Sequence, residues 1–97
     1  MTNAFYTEKN ELERAAEILR VLAHPARLQI VHQLIKKKKS LHVSELQKSL
    51  SMLQFTVSQH LNKMRGHRVV SYERKGKEIH YRVDDELVKK TVKVLIG

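Results

Sequence analysis

Apolar residues recur at helical spacing from Leu12 to Met64, and the period then changes once, just after Gly66. That switch calls for four helical segments, a pair of strands and a last helical segment. The first stripe, within Glu8–Ala23, is Leu12, Ala15, Ala16, Leu19, Leu22 and Ala23. Pro25 breaks it and suits the first turn of a second helix carrying Leu28, Val31, Leu34 and Ile35. That helix runs into Lys36, Lys37, Lys38 and Lys39, cations that a helix C-terminus favours and that a solvated helix end also tolerates. Ser44-Glu45-Leu46-Gln47 reads as a capping box opening a short third helix to about Leu50, with Ser51 and Met52 as the turn. A fourth helix from about Leu53 to Arg65 turns Val57, Leu61 and Met64 inward, and Gly66 fits just beyond its end. Arg68–Arg74 and Glu78–Val83 read as strands around Lys75-Gly76-Lys77. Asp84 or Asp85 can cap the last helix, whose apolar positions are Leu87, Val88, Val92 and Leu95.

The predicted fold is mostly α with a small β-hairpin (α+β), in the order α-α-α-α-β-β-α. It forms one domain over 1–97, with a loose arm over 1–7. A tight helix-turn-helix followed at once by a basic hairpin is the arrangement of a winged helix-turn-helix DNA reader. Charge agrees: 19 Lys and Arg against 10 Asp and Glu give a formal +9. Such an excess points to nucleic acid or an acidic membrane surface. No apolar run approaches the ~20 residues that span a bilayer, and no signal-peptide core is present, so the expected location is cytoplasmic. The absence of cysteine removes disulfides, thiolate metal sites and Cys nucleophiles together.

Two segments carry the chemistry. On the fourth helix, Phe55, Thr56, Gln59, Asn62 and Lys63 project opposite to Val57, Leu61 and Met64, with Ser58 on a flank. Amides offer adenine a donor and an acceptor together, and a methyl or aromatic edge can touch a thymine methyl. Lys63 and the hydroxyls can hold phosphates. An ordinary solvated helix face would look similar, but Phe55 would then sit outside without a partner. In the hairpin, Arg74, Lys75 and Lys77 cluster at the tip and could lie along a phosphate backbone or enter a minor groove. Charge that merely keeps an edge hairpin soluble is the plainer alternative. The six histidines show no His-Glu-x-x-His spacing, and no glycine-rich phosphate loop or catalytic triad is evident. The expectation is therefore no enzyme, no cofactor, no metal and no small-molecule substrate.

The segment Leu22-Ala23-His24-Pro25-Ala26-Arg27-Leu28 resembles the Leu-x-x-Pro-x-Arg-Leu entry to the second helix in the ArsR/SmtB family of winged helix-turn-helix repressors. Gln54-Phe55-Thr56-Val57-Ser58-Gln59-His60-Leu61 resembles its recognition helix, and Arg74-Lys75-Gly76-Lys77 with Tyr81 its wing. The likeness spans roughly Leu12 to Leu95, and Val57–Gly66 is similar to a branch not defined by metal sensing. It implies a homodimeric transcriptional repressor on a near-palindromic operator in double-stranded DNA. Recognition residues carry over to Gln54, Phe55, Thr56, Ser58 and Gln59, joined by Lys63 from the outward face. It implies a dimer interface of the first and last helices, here Leu12, Ala15, Leu19, Leu22, Leu87, Val88, Val92 and Leu95. Metal-sensing members carry a Leu-Cys-Val-Cys-like stretch, which is Leu41-His42-Val43-Ser44 here; of the site in the last helix only Asp85 matches, with Leu87 in place of His. Loss of inducer binding is the favoured reading, and a different His-based metal response is the alternative. A winged fold kept only as a protein–protein interaction module is the other alternative; its mark would be a neutral or acidic recognition face.

Overall fold

The computed structural model describes the backbone from residue 2 to 97 and the side chains from residue 9. Met1 and the side chains of 2–8 lie outside it, and with them most of the expected loose arm, although α1 is already helical from Thr2. With no proline or glycine before Pro25, nothing in the chain interrupts α1 over Thr2–Leu22. His24 caps α2 (Pro25–Lys37) by accepting the Ala26 N–H on Nδ1 at 3.2 Å. Pro25 occupies the first turn, where its missing N–H costs nothing.

A two-residue strand absent from the expected order, β1 (Leu41–His42), follows α2. It is too short to show a period of its own and exists because β3 offers it a partner. α3 (Val43–Leu50) begins two residues earlier than the expected box: His42 is the cap, not Ser44. The His42 Nδ1 accepts the Ser44 N–H, and Glu45 Oε1 accepts the His42 N–H at 3.1 Å, so the reciprocal logic survives with an imidazole in place of a hydroxyl. Ser51, in the left-handed region at φ 53°, closes α3 and starts the turn to α4 (Gln54–Gly66). Gly66 is the last helical residue rather than the break beyond it; the left-handed residue is Arg68, at φ 58°.

The hairpin comprises β2 (Ser71–Lys75) and β3 (Glu78–Arg82), both shorter than expected. Lys75 pairs with Glu78 across Gly76 and Lys77, with Gly76 at φ 63° as a tight turn requires. The antiparallel sheet has the order β1-β3-β2. Asp85 caps α5 (Glu86–Ile96), its Oδ1 accepting the Leu87 and Val88 N–H groups.

One core joins these pieces. Ile18, Val21 and Leu22 of α1 meet Ile30, Val31 and Leu34 of α2, Leu46, and Val57, Leu61 and Met64 of α4. Val69, Tyr81, Val83, Val88 and Val92 close it. The core face of α1 is therefore rotated from the predicted stripe. Leu12 and Leu19 point outward, and of the expected set only Leu22 is inside.

Candidate nucleic-acid interface

The core anchors α4 by three side chains, Val57, Leu61 and Met64, all fully buried. Their spacing leaves the opposite side free. Gln54, Phe55, Gln59, Asn62 and Lys63 are exposed there, and Thr56 and Ser58 are half-buried at its margins. Phe55 is 72% exposed, a large apolar surface left in water by a protomer that buries nearly all its other core-type residues on α4. Leu53, at the N-cap of α4, makes no side-chain cap, so the first-turn N–H groups have no side-chain partner from this residue.

The wing is tied to this face at its base. The Arg65 guanidinium lies 4.8 Å from the centre of the Tyr72 ring, a cation–π contact joining α4 to β2. Sequence reading missed it, because no local pattern links residues on different elements. At the tip the three predicted cations are exposed but not equivalent. Lys75 donates to Ser40 Oγ at 3.3 Å and sits 3.6 Å from Glu73. Among the described residues, Arg74, Lys77 and Lys63 form no ion pair.

Two supports behind α4 were also invisible in the sequence. His60 packs edge-on against His24, with ring centres 4.7 Å apart, and its Nδ1 accepts weakly from Arg27 Nε at 3.4 Å. Burial, reinforced by His24 and Arg27, pushes the His60 imidazole below its ordinary pKa and favours the neutral form. At the other end, Arg14 of α1 donates to the carbonyls of His67 (2.8 Å) and Arg68 (3.1 Å), which follow α4. The same guanidinium reaches Glu17 at 2.9 Å and Asp85 at 3.0 Å. His67 Nδ1 lies 3.1 Å from Glu17. One side chain thus ties together α1, the exit of α4 and the cap of α5. The Glu17 carboxyl is held low by His67 and then Arg14. Burial pushes Asp85 up, but the hydrogen bonds from Arg14 and from the Val88 and Leu87 N–H groups outweigh it and hold it low.

The expected dimer residues divide. Leu22, Val88 and Val92, at 2%, 0% and 1% exposure, belong to the protomer's own core and are unavailable to a partner. Both helices carry apolar residues on more than one side, so periodicity cannot say which side faces inward. Leu12, Leu19, Leu87 and Leu95 are exposed, as are Val94 and Ile96, and Ala15 is half-buried. Glu11, Leu12, Ala15 and Leu87 line an open hollow of about 590 Å³ between α1 and α5.

The two residues that keep a ligand-type side chain at the aligned metal positions are engaged as helix caps: His42 on α3 and Asp85 on α5, the latter also paired with Arg14. Among the described residues, no group of three or more His, Asp or Glu side chains is placed to hold a metal ion. No helix of the described residues is long and apolar enough to cross a membrane.

The family model for bacterial regulatory proteins of the arsR family matches residues 24–72, from the cap of α2 into β2. The chain belongs to this arsR family. It is 44% identical over 88 residues to the transcriptional repressor PagR of Bacillus anthracis, covering 91% of this chain and 87% of PagR. The crystal structure of PagR superposes with a TM-score of 0.82 over 90% of this chain and 98% of that one. The PagR-like branch expected from Val57–Gly66 is borne out, as is the winged fold. A predicted DNA-binding transcriptional regulator from E. coli superposes at 0.84, with 27% identity over 93% of this chain and 94% of that one. The homodimeric winged helix-turn-helix DNA-binding domain of Mb0332 from Mycobacterium bovis shares the fold at a TM-score of 0.77 and 24% identity, over 91% of this chain and 80% of that one. As an arsR-family member, the chain is a transcriptional regulator and not an enzyme.

Proposed function

We propose that this arsR-family regulator acts as a homodimer that occupies a near-palindromic operator in double-stranded DNA and represses transcription. The observation that carries the reading is the outward side of α4. It presents Gln54, Phe55, Gln59 and Lys63, with Thr56 and Ser58 beside them, opposite a fully buried anchor. Amides, hydroxyls and an aromatic edge are the groups that read base edges in a major groove. The face is cationic, not neutral or acidic, which disfavours a winged fold kept only for protein–protein contact. Arg74, Lys75 and Lys77 supply phosphate contacts from the wing. PagR, a named transcriptional repressor, gives the direction of regulation.

Dimerisation uses Leu12, Ala15, Leu19, Leu87 and Leu95, together with Val94, which is 85% exposed. A second copy is the occupant that matches, since an isologous two-fold contact sets apolar against apolar without needing a complementary partner. The two copies of α4 then enter successive major grooves, with half-sites ~34–36 Å apart or a multiple of that. Selection of bound fragments from genomic DNA at a stated salt concentration would yield the operator. On that operator Gln59→Ala should cost about 1–3 kcal/mol, roughly five- to 150-fold in affinity, while random duplex loses much less. Equal losses on both would remove Gln59 from base reading.

A further inference from the structure

A second concavity lies between the end of α2, the end of β3 away from the hairpin tip, and α5, and no step of DNA reading uses it. It encloses about 360 Å³, at the small end of the roughly 300–1,000 Å³ typical of small-molecule sites. Its apolar side is the half-buried Ile35, beside Leu34 and Val83, which are only 2% and 7% exposed. Five cations surround that surface: Lys38, Lys39, Arg82, Lys89 and Lys93. The one carboxylate in the lining, Asp84, is occupied by Arg82 Nε, 3.0 Å from each of its oxygens. Among the described residues, Lys38, Lys39 and Lys93 form no ion pair. Lys38 also holds φ at 57°, a conformation glycine takes without cost, so a cation stands at the cleft where an uncharged residue would have closed the helix more easily.

We propose that this cleft binds a small organic anion with an apolar body, a monocarboxylate of medium chain length. The carboxylate takes the cations, and the hydrocarbon covers Ile35 and the aliphatic stems of the surrounding lysines. An inorganic anion or a DNA phosphate would satisfy the cations and leave Ile35 and those stems wet. The site is separate from the dimer face: at 100° per residue, Lys89 and Lys93 occupy one flank of α5 and Leu87 and Val94 the other. It also touches the wing. Arg82 Nη1 lies 3.7 Å from Glu73 of β2, and Ser40, in the cleft lining, donates to Glu73 at 3.0 Å. A ligand carboxylate on the Arg82 Nη groups competes with Glu73, while Asp84 keeps the Nε side. Wherever it changes the wing, it changes DNA affinity, and DNA changes ligand affinity by the same factor. That coupling rests on the DNA-binding reading; the binding site does not.

The test is methyl NMR of the full chain without DNA, titrated with sodium octanoate and in parallel with sodium phosphate and 1-octanol. Octanoate should shift the Leu34, Ile35 and Val83 methyl signals to saturation, and neither control should match it. K89E/K93E should weaken octanoate binding about tenfold or more, and the milder Lys93→Gln by a few-fold should the double variant fail to fold. The proposal is overturned if those methyls stay still, if phosphate or octanol shifts them as readily, if a folded variant binds octanoate as tightly, or if the response appears instead at Leu12, Leu87 and Leu95. Operator affinity that ignores octanoate while the cleft is filled would overturn the Arg82–Glu73 coupling and leave the site standing.

Discussion

Replacing Arg14 by alanine should loosen three elements at once. The side chain is 23% exposed and its partner Asp85 30%, so water screens the network without abolishing it. Setting aside the Glu17 contact, three bonds disappear: those to the His67 and Arg68 carbonyls and to Asp85. At about 0.5–1 kcal/mol each after screening, the expected loss is about 2 kcal/mol. For a domain of this size that lowers Tm by about 8–16 °C. Urea unfolding followed by circular dichroism measures it, at equal protomer concentration because association raises apparent stability. Arg20→Ala, an exposed neighbour on α1, is the control and should change little. The pH dependence gives a second reading. Glu17 and Asp85 are both held below their ordinary carboxyl range. Their contribution is complete above the unfolded values near pH 4 and is lost as pH falls through the depressed folded values. The Arg14→Ala protein should therefore show a shallower acid decline than the parent. A loss under about 0.5 kcal/mol at pH 7, with the acid decline unchanged, would refute the reasoning.

Three further outcomes are expected. Arg74→Ala and Lys77→Ala should each reduce the slope of log affinity against log salt by about 0.9, and Lys75→Ala by less, since Ser40 and Glu73 already hold that ammonium; three equal slopes would contradict this ranking. Leu12→Glu and Leu87→Glu should each shift the protein to monomer in sedimentation, because a two-fold interface feels each change twice at about 1.5 kcal/mol or more per buried leucine; an unaltered dimer would place the interface elsewhere. His60 favours its neutral form in the fold, so the unfolded chain takes up the proton first, and stability drops as pH falls from about 6.5 towards the depressed folded value. His60→Asn keeps an acceptor for Arg27 and should flatten that part of the profile; an unchanged profile would assign it to another group.

Much of this protein is written locally. Pro25 after a cap-forming His24, the change of period after Gly66 and the Gly76 turn each act within a few residues, and the helices and hairpin follow them. Val57, Leu61 and Met64 mark the anchored side of α4, so its outward residues could be named without coordinates. Other features depend on what lies across the core. α1 has two apolar sides, and only packing decides that Ile18, Val21 and Leu22 turn inward while Leu12 and Leu19 remain outside. β1 is a strand because β3 lies beside it, and Arg14 bridges residues more than fifty positions away in the chain. Short-range sterics and hydrophobic period set the elements and their faces. The choice between two faces, and every contact joining distant residues, was left to the tertiary structure, because burial and electrostatics act through space and leave no periodic trace along the chain.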